Sequence, residues 1–257
     1  MHRHLTHLGL ALALAAGAAP LSAQDSAPPL QAVLANGYRF AYVVQGTGRP
    51  VVLLHGALED YRRWDALGVK LAGSARVIAY SARYHFPNPW RPDDPPTNLS
   101  THAADLVAIL RALHLEGTVL VADGWAATIA LRAALREPGL VAAVVLVEPL
   151  LGPPVVGAPP APAPPRAAVN QLPETLAGPL RPATCEELGG LGVPLHVLTG
   201  TGSEPRVGAS LGITRQCHPG TTSETLPGAD LAGTGAAALA EALARLVTTL
   251  PPPPPAR

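Results

Sequence analysis

Short runs of apolar residues recur along this chain and constrain its fold more than any other feature. Each run is apolar on both sides, as is typical of strands buried in a parallel sheet with helices on both faces. The clearest runs are Val51–His55, Val77–Tyr80, Val119–Val121, Val144–Val147 and Leu195–Leu198, with Thr222–Leu226 as a weaker candidate. These apolar segments therefore predict a sheet whose strands are mostly parallel.

Helical patterns separate these runs. Residues 100–114 place apolar side chains on one face, residues 125–136 follow the third clear run, and residues 236–249 are rich in Ala and Leu. Asn36-Gly37, between two extended segments, predicts a hairpin before the parallel strands. Alternating strands and helices predict an α/β fold, with a mostly parallel sheet and helices on both faces.

The chain ends differ in composition from its middle. Residues 1–23 combine a basic start, an apolar stretch and small residues before Ala23, the layout of a secretory signal peptide. We therefore expect export to the periplasm or the medium and a mature domain over residues 24–250. Proline-rich sequence occupies residues 152–166 as an insert and residues 251–257 as a tail. No later apolar run is long enough for stable membrane insertion after cleavage.

Charge and histidine spacing exclude several partner classes. Lys plus Arg and Asp plus Glu each number 18, so the net charge is zero, which argues against nucleic acid or an anionic membrane surface as partner. Four histidines lie on separate segments without metal-ligand spacing: His102, His114, His196 and His218. We expect neither a metal nor a cofactor.

The two cysteines, Cys185 and Cys217, form an even set in a chain that we expect to be exported. An oxidising compartment permits a disulfide between them. Two buried, unpaired thiols are the alternative, because the sequence does not give the separation that a bridge requires.

Six segments in order resemble the α/β-hydrolase superfamily. The central one, Ala122-Asp123-Gly124-Trp125-Ala126, joins an apolar strand to a helix as a nucleophile elbow does, where an active member reads G-x-S-x-G. The other five, in chain order, are Leu53–Ala57, Tyr80–His85, Leu146–Pro149, Pro194–Gly200 and Leu226–Leu231. The resemblance implies this superfamily's fold from about Asn36 to the last helix.

The resemblance also implies that the catalytic residues have been lost. Gly124 stands at the nucleophile position and Leu231 at the position of the histidine that serves as base. The acid would be Glu148, or else a residue of the later loop, where Ser203 replaces the expected Asp. Without nucleophile and base, serine-hydrolase chemistry is not expected.

Two nearby side chains are candidates for altered roles. Asp123 would be a displaced nucleophile, as in the dehalogenase and epoxide-hydrolase branches, or a polar residue bonded to a neighbouring loop. His85 would bind a ligand or act as a weak base, or would pack its loop. The backbone N–H groups of Ala57 and Trp125 are the expected oxyanion donors and would suit a small-molecule ligand with a carbonyl or carboxylate.

The segment between Glu148 and Pro194 often forms a helical lid in the superfamily, but here much of it is proline-rich and only residues 167–190 suit a helix. We therefore expect a reduced cap. Three hypotheses follow. The first is an exported pseudoenzyme that binds a ligand or serves as a scaffold. The second is a hydrolase acting on carboxylic esters or related small molecules through non-standard residues. The third is a product under no selection, in which the fold signals persist while the catalytic motifs have eroded.

Overall fold

One mixed sheet of eight strands organises the molecule. The computed structural model describes residues 27–91, 93–151 and 183–251. The strands are β1 (Gln31–Ala35), β2 (Tyr38–Gln45), β3 (Pro50–Leu54), β4 (Arg76–Tyr80), β5 (Thr118–Asp123), β6 (Val141–Val147), β7 (Leu195–Gly200) and β8 (Thr222–Leu226). Their order across the sheet is β1-β2-β4-β3-β5-β6-β7-β8. From β4 to β8 in this order, each strand is parallel to the next one.

The first two strands form the predicted hairpin. Asn36 and Gly37 lie at its turn with φ of 46° and 68°. A two-residue turn with positive φ at both positions follows the right-handed twist of the paired strands. β2 then pairs antiparallel with β4, which attaches the hairpin to the parallel part of the sheet.

Helices cover both faces of the sheet, as predicted. The helices are α1 (Asp65–Leu71), α2 (Leu99–Ala112), α3 (Ala126–Arg136), α4 (Cys185–Gly189), α5 (Pro205–Cys217) and α6 (Ala236–Thr249). One core cluster joins α2, α3 and α4 to one face, and a second joins α1 and α6 to the other. Successive residues of β3 alternate between the clusters, because side chains of a strand point to opposite faces.

The helix boundaries differ slightly from the predicted ones. The helix expected over residues 100–114 begins at Leu99, because the Asn98 side chain caps it by accepting a hydrogen bond from Thr101 N at 2.9 Å. α1 and α5 were not predicted from the sequence. The signal peptide expected over residues 1–23, the proline-rich insert at 152–166 and all of the tail except Pro251 lie outside the described residues. Of the span 167–190 that suits a helix, residues 183–190 are described and contain α4.

A disulfide joins Cys185 to Cys217 and so settles the two alternatives left open for the cysteines. The two Cα atoms are 5.0 Å apart, and the bond connects the start of α4 to the end of α5. Among the described residues, none of the helices combines the length and the apolar character that crossing a bilayer requires.

Candidate functional site

The turn between β5 and α3 has the shape of a nucleophile elbow without its side chain. Gly124 has φ of +55°, a conformation that residues with a Cβ adopt at a cost. Its N–H donates to Val147 O at 3.0 Å, and its carbonyl accepts from Leu150 N at 3.1 Å. A Cβ built on Gly124 would meet only the Leu150 Cδ1 atom, at 3.8 Å. The turn is therefore fixed by backbone hydrogen bonds, and space remains where a nucleophile would stand.

The side chains that would serve as base and acid are arranged for other purposes. Leu231, at the position of the base, is fully buried in the core cluster of α1 and α6. Glu148, which follows β6, places Oε1 2.5 Å from the Ser203 hydroxyl. The two positions from which the resemblance would draw the acid thus contact each other. In the described chain, Glu148 has no bond to a histidine.

Asp123 belongs to a cluster of charged side chains that come from three segments of the chain. The Arg63 guanidinium lies 3.2 Å from Asp123 Oδ2, 3.0 Å from Glu59 Oε1 and 2.6 Å from Asp230 Oδ1. We call these four residues the Arg63 cluster. Its members come from the loop after β3, the end of β5 and the loop after β8. Asp230 immediately precedes Leu231, so the cluster ties the elbow to the segment where the base would be.

One cation faces three carboxylates in this cluster, so ionisation of all three leaves an excess of negative charge. Burial raises the pKa of Asp123 to about 7, against the lowering by Arg63, and the charge of Glu59 adds to the rise. Burial also raises the pKa of Glu59. Burial lowers the pKa of Arg63, but the Asp230 hydrogen bond and the charges of Asp123 and Glu59 outweigh that effect and raise it. Arg63 therefore stays a cation.

Two histidines, His55 and His85, connect the loop after β3 to the loop after β4. His85 is buried, with Nδ1 2.9 Å from Arg83 O and Nε2 2.9 Å from Ala57 O. His55 accepts from Ala82 N at 2.9 Å and lies with Nδ1 2.7 Å from Gly56 O. Burial lowers the pKa of both imidazoles. Because both ring nitrogens of His85 face carbonyl oxygens, this ring supports the Ala57 turn and is not directed at Gly124.

The expected oxyanion donors are available. The Ala57 and Trp125 backbone N–H groups have no hydrogen-bond partner among the described residues. Trp125 lies between Gly124 and the first residue of α3, and its backbone has helical angles, φ −66° and ψ −27°. Such N–H groups at a helix start attract carbonyl and carboxylate oxygens.

The Trp125 side chain belongs to a buried group of aromatic rings. The Trp125 indole stacks on the His85 ring at a centroid distance of 6.3 Å and meets the His102 ring edge-on at 5.3 Å. The two ring nitrogens of His102 have no hydrogen-bond partner in the described chain. The same is true of the indole N–H of Trp125. We call His102 and Trp125 the unpaired ring pair.

Several site residues were not identified from the sequence. Glu59 and Arg63 lie four residues apart in one segment and Asp230 lies in another, so only the Glu59–Arg63 contact has a local pattern in the sequence. His102 was judged only as one of four scattered histidines. Across the described ranges, no group of three or more His, Cys, Asp or Glu side chains is arranged to hold a metal ion.

Comparisons with known proteins agree with this geometry. The sequence model of the alpha/beta hydrolase fold family matches residues 49–178. An uncharacterised protein of Mycobacterium tuberculosis strain H37Rv is 30% identical over 127 residues, which are 48% of this chain and 36% of that protein. The 2-hydroxymuconate semialdehyde hydrolase of Pseudomonas sp. strain CF600 is 30% identical over 131 residues, 49% of this chain and 46% of the hydrolase. The matches thus span less than half the length of these relatives.

A solved structure resembles the whole fold. It is a variant of the meta-cleavage product hydrolase of Pseudomonas fluorescens IP01 complexed with acetates, with a TM-score of 0.70 and 16% identity. The superposition covers 85% of this chain and 97% of that one. With the sheet order, the elbow and the family match in agreement, the chain belongs to the α/β-hydrolase fold family.

Proposed function

We propose that this protein is an exported member of the α/β-hydrolase family that binds a small carbonyl or carboxylate compound and does not act as a serine hydrolase. The observation that carries the proposal is Gly124. It occupies the turn where the attacking side chain of this fold would be and offers no atom for attack. Acyl transfer by this fold needs a nucleophile and a base to remove its proton.

The surroundings of Gly124 support the same conclusion. Leu231 is a core residue, and no imidazole is bonded to Glu148 in the described chain. The Arg63 cluster places ion pairs between the elbow and the loop after β8. These contacts stabilise the loops, which a binding protein needs as much as an enzyme does.

The donors at this site support the proposed ligand class. The Ala57 and Trp125 N–H groups have no hydrogen-bond partner among the described residues. The only atom within 4 Å of a Cβ built on Gly124 is Leu150 Cδ1, at 3.8 Å, so the space beside Gly124 is open. Backbone N–H groups without a protein partner suit an oxygen that carries partial or full negative charge. The acetates in the Pseudomonas fluorescens relative agree with this class of ligand.

Hydrolysis of carboxylic esters through Asp123 is the second candidate, and one observation favours it. A carboxyl group with a pKa of about 7 beside the elbow has the acid–base properties of a catalytic group. Its contacts favour a structural role, because Oδ2 lies 3.2 Å from Arg63 Nε. Glu148 and His85 would have equivalent altered roles in this alternative.

The deciding experiment is hydrolysis of a panel of short p-nitrophenyl esters by the purified mature protein. Asp123→Ala and His85→Ala are measured alongside Glu241→Ala, a control at an exposed position of α6. We expect no turnover above that of an unrelated folded protein. Turnover that Asp123→Ala or His85→Ala abolishes, and that the control retains, would replace the proposed function with the hydrolase.

Export is tested separately. The disulfide between Cys185 and Cys217 supports it, since such bonds persist mainly in oxidising compartments. When the full chain is expressed, we expect the mature protein to be recovered from the periplasm or the medium with its N-terminus near Gln24. Retention in the cytoplasm with residues 1–23 intact would contradict this part of the proposal.

A further inference from the structure

β1 is an edge of the sheet, with β2 on one side and no strand on the other among the described residues. In an antiparallel pair, alternate residues bond to the neighbouring strand and the others point away from it. Ala41 of β2 lies opposite Ala32, and its N–H and carbonyl bond to the segment after β4 instead. The Ala32 N–H and carbonyl therefore point to the free side of β1. Leu30 and Leu34, two residues away on either side, point the same way and have no backbone partner in the described chain.

The side chains of these three residues form an apolar row that is open to solvent. Leu30 is 51% exposed and Leu34 is 73% exposed, more than large apolar side chains usually are in this fold's described part. Since side chains two positions apart share a face of a strand, Leu30, Ala32 and Leu34 lie on one face. We call these three residues the β1 edge. Unpaired backbone groups beside exposed apolar side chains make a strand edge a template for another strand.

The opposite edge of the sheet, β8, has a feature that discourages such pairing. It contains Glu224, which forms an ion pair with Arg245 of α6 at 2.8 Å. Charged side chains on an edge strand oppose addition of a further strand, because pairing would bring like charges together or remove their water. β1 contains no charged residue. The comparison indicates that β1, and not β8, is the edge suited to a partner strand.

The sequence around β1 limits where pairing can begin and end. Pro28 precedes Leu30 by two positions and has no N–H to donate on the free side. Asn36, two positions after Leu34, lies in the turn with φ of 46°. Pairing on the free side is thus confined to the β1 edge, and Ala32 is its centre.

The β1 edge has the same pattern in both directions, a large, a small and a large apolar side chain. In an antiparallel pair centred on Ala32, the two Ala32 residues lie opposite each other, and Leu30 of each copy lies opposite Leu34 of the other. Opposed residues of this type exchange two hydrogen bonds, so every outward N–H and carbonyl of the β1 edge is satisfied. A second copy of the chain supplies the matching row by symmetry, whereas an unrelated peptide would need such a row of its own.

We propose that the β1 edge is a dimerisation surface, at which two copies of this chain join their sheets through antiparallel β1 strands centred on Ala32. This proposal does not depend on the proposed function. β5, which leads to Gly124, lies four strand spacings from β1, about 19 Å, so pairing leaves the candidate site unobstructed. The contact is small for a specific interface, so we expect a dissociation constant in the micromolar range, about 1 to 100 μM.

Sedimentation velocity of the mature protein measures the association. Between about 1 and 500 μM, the average mass should rise from that of one chain towards that of two. Ala32→Pro removes the central outward N–H, which bonds nothing within the protomer, and proline is tolerated at such edge positions. This variant should stay monomeric over the same range. A monomer at every concentration of the unchanged protein would overturn the proposal, and so would a dimer that Ala32→Pro retains.

Two charged variants test the register. Leu30→Glu and Leu34→Lys each place a charge opposite an apolar residue of the other copy, so each alone should weaken the dimer at least about tenfold. In an equal mixture, the new carboxylate of one variant lies opposite the new ammonium of the other, and mixed dimers should form more tightly than either variant associates with itself. A mixture that associates no better than the separate variants would overturn the pairing centred on Ala32.

Val69→Lys is the control for the charged variants. Val69 is 59% exposed but lies on α1, so this variant should associate as the unchanged protein does. Loss of the dimer in Val69→Lys with retention in Leu34→Lys would assign the interface to α1 and overturn the proposal. Far-ultraviolet circular dichroism shows whether each variant has folded. Because Leu30 and Leu34 are exposed, the charged variants decide the matter even if Ala32→Pro does not fold.

Discussion

Two polar regions adjoin Gly124 in the sequence, one through Asp123 and the other through Trp125, and they differ in how well their groups are paired. In the Arg63 cluster, the guanidinium contacts Glu59, Asp123 and Asp230 at hydrogen-bond distances. In the unpaired ring pair, three buried nitrogens have no partner among the described residues. Satisfied buried groups hold a structure together, whereas unsatisfied ones destabilise it until something binds. The contrast predicts that the first region adds to the stability of the fold and that the second lowers it.

The largest effect is expected from Arg63→Met, which leaves three carboxylates without their cation. Removal of one partner from a mostly buried ion pair costs about 3 kcal/mol or more, so the free energy of unfolding in urea should fall by that amount. Arg245→Met is the control, because its pair with Glu224 is exposed and should be worth about 0.2 to 1 kcal/mol. Equal losses in the two variants would show that the Arg63 cluster does not hold the loops.

Asp123→Asn tests the electrostatics of the same cluster. Because the pKa of Asp123 is raised to about 7 in the fold, its stabilising contribution is full below its unfolded pKa and is lost as the pH rises through 7. Asparagine does not titrate, so the stability of the variant relative to the unchanged protein should increase by about 2–3 kcal/mol from pH 5 to pH 8.

Urea unfolding at the two pH values measures this difference. Glu241→Gln, at an exposed position of α6, is the control and should show no such trend. A variant that loses relative stability as the pH rises would mean that the charged form of Asp123 is favoured by Arg63, and the cluster would then be more strongly attractive than its burial suggests.

His102→Leu should act in the opposite direction from Arg63→Met. It replaces two unpaired buried nitrogens with an apolar side chain, so the free energy of unfolding without ligand should rise by about 1–2 kcal/mol. Thermal unfolding of the variant and of the unchanged protein measures this difference. A destabilised variant would show that His102 is paired in solution and would remove the contrast between the two regions.

The smallest effect is expected from Gly124→Ser, which restores a hydroxyl to the elbow. A Cβ at φ of +55° costs about 1 kcal/mol, and the space around it is open, so the protein should fold with that small loss. Gly37→Ser provides a matched control, because Gly37 has φ of +68° and also has open space. We expect no ester hydrolysis from Gly124→Ser, because Leu231 stands at the position of the base and, among the described residues, no imidazole is bonded to Glu148. Turnover by this variant would show that another group of the protein serves as the base.

The fold was largely predictable because its signals are local. α6 was predicted with the observed bounds, since its apolar residues repeat at helical spacing over the whole element. α5 was missed because its buried face consists of Val207, Ser210 and Thr214, of which two are polar. The Thr214 hydroxyl donates to Ser210 O at 2.7 Å and the Ser210 hydroxyl donates to Arg206 O at 3.0 Å. Both hydroxyls are thus satisfied within the helix, and its buried face shows no apolar periodicity.

The site was only partly predictable, for a different reason. The turn at Gly124 follows from a contiguous pattern, and its positive φ agrees with a position where glycine relaxes strain. Glu59 and Arg63 are close in the sequence, but Asp123 and Asp230 come within reach of Arg63 only when the sheet is assembled. The unpaired state of His102 is likewise a property of its surroundings, so no single-sequence pattern contains it.

α5 also receives both ends of the segment that runs from Leu151 to Cys185. Leu151 N donates to Ser210 Oγ at 2.9 Å, and Cys185 is bonded covalently to Cys217. One helix therefore closes this segment into a loop, whatever lies between its ends. Since the entropy of closing a loop grows only with the logarithm of its length, insertions and deletions there leave the sheet almost undisturbed. Changes in the number of residues between 152 and 182 are therefore expected to cost the described sheet little stability, which makes this segment suitable for engineered insertions.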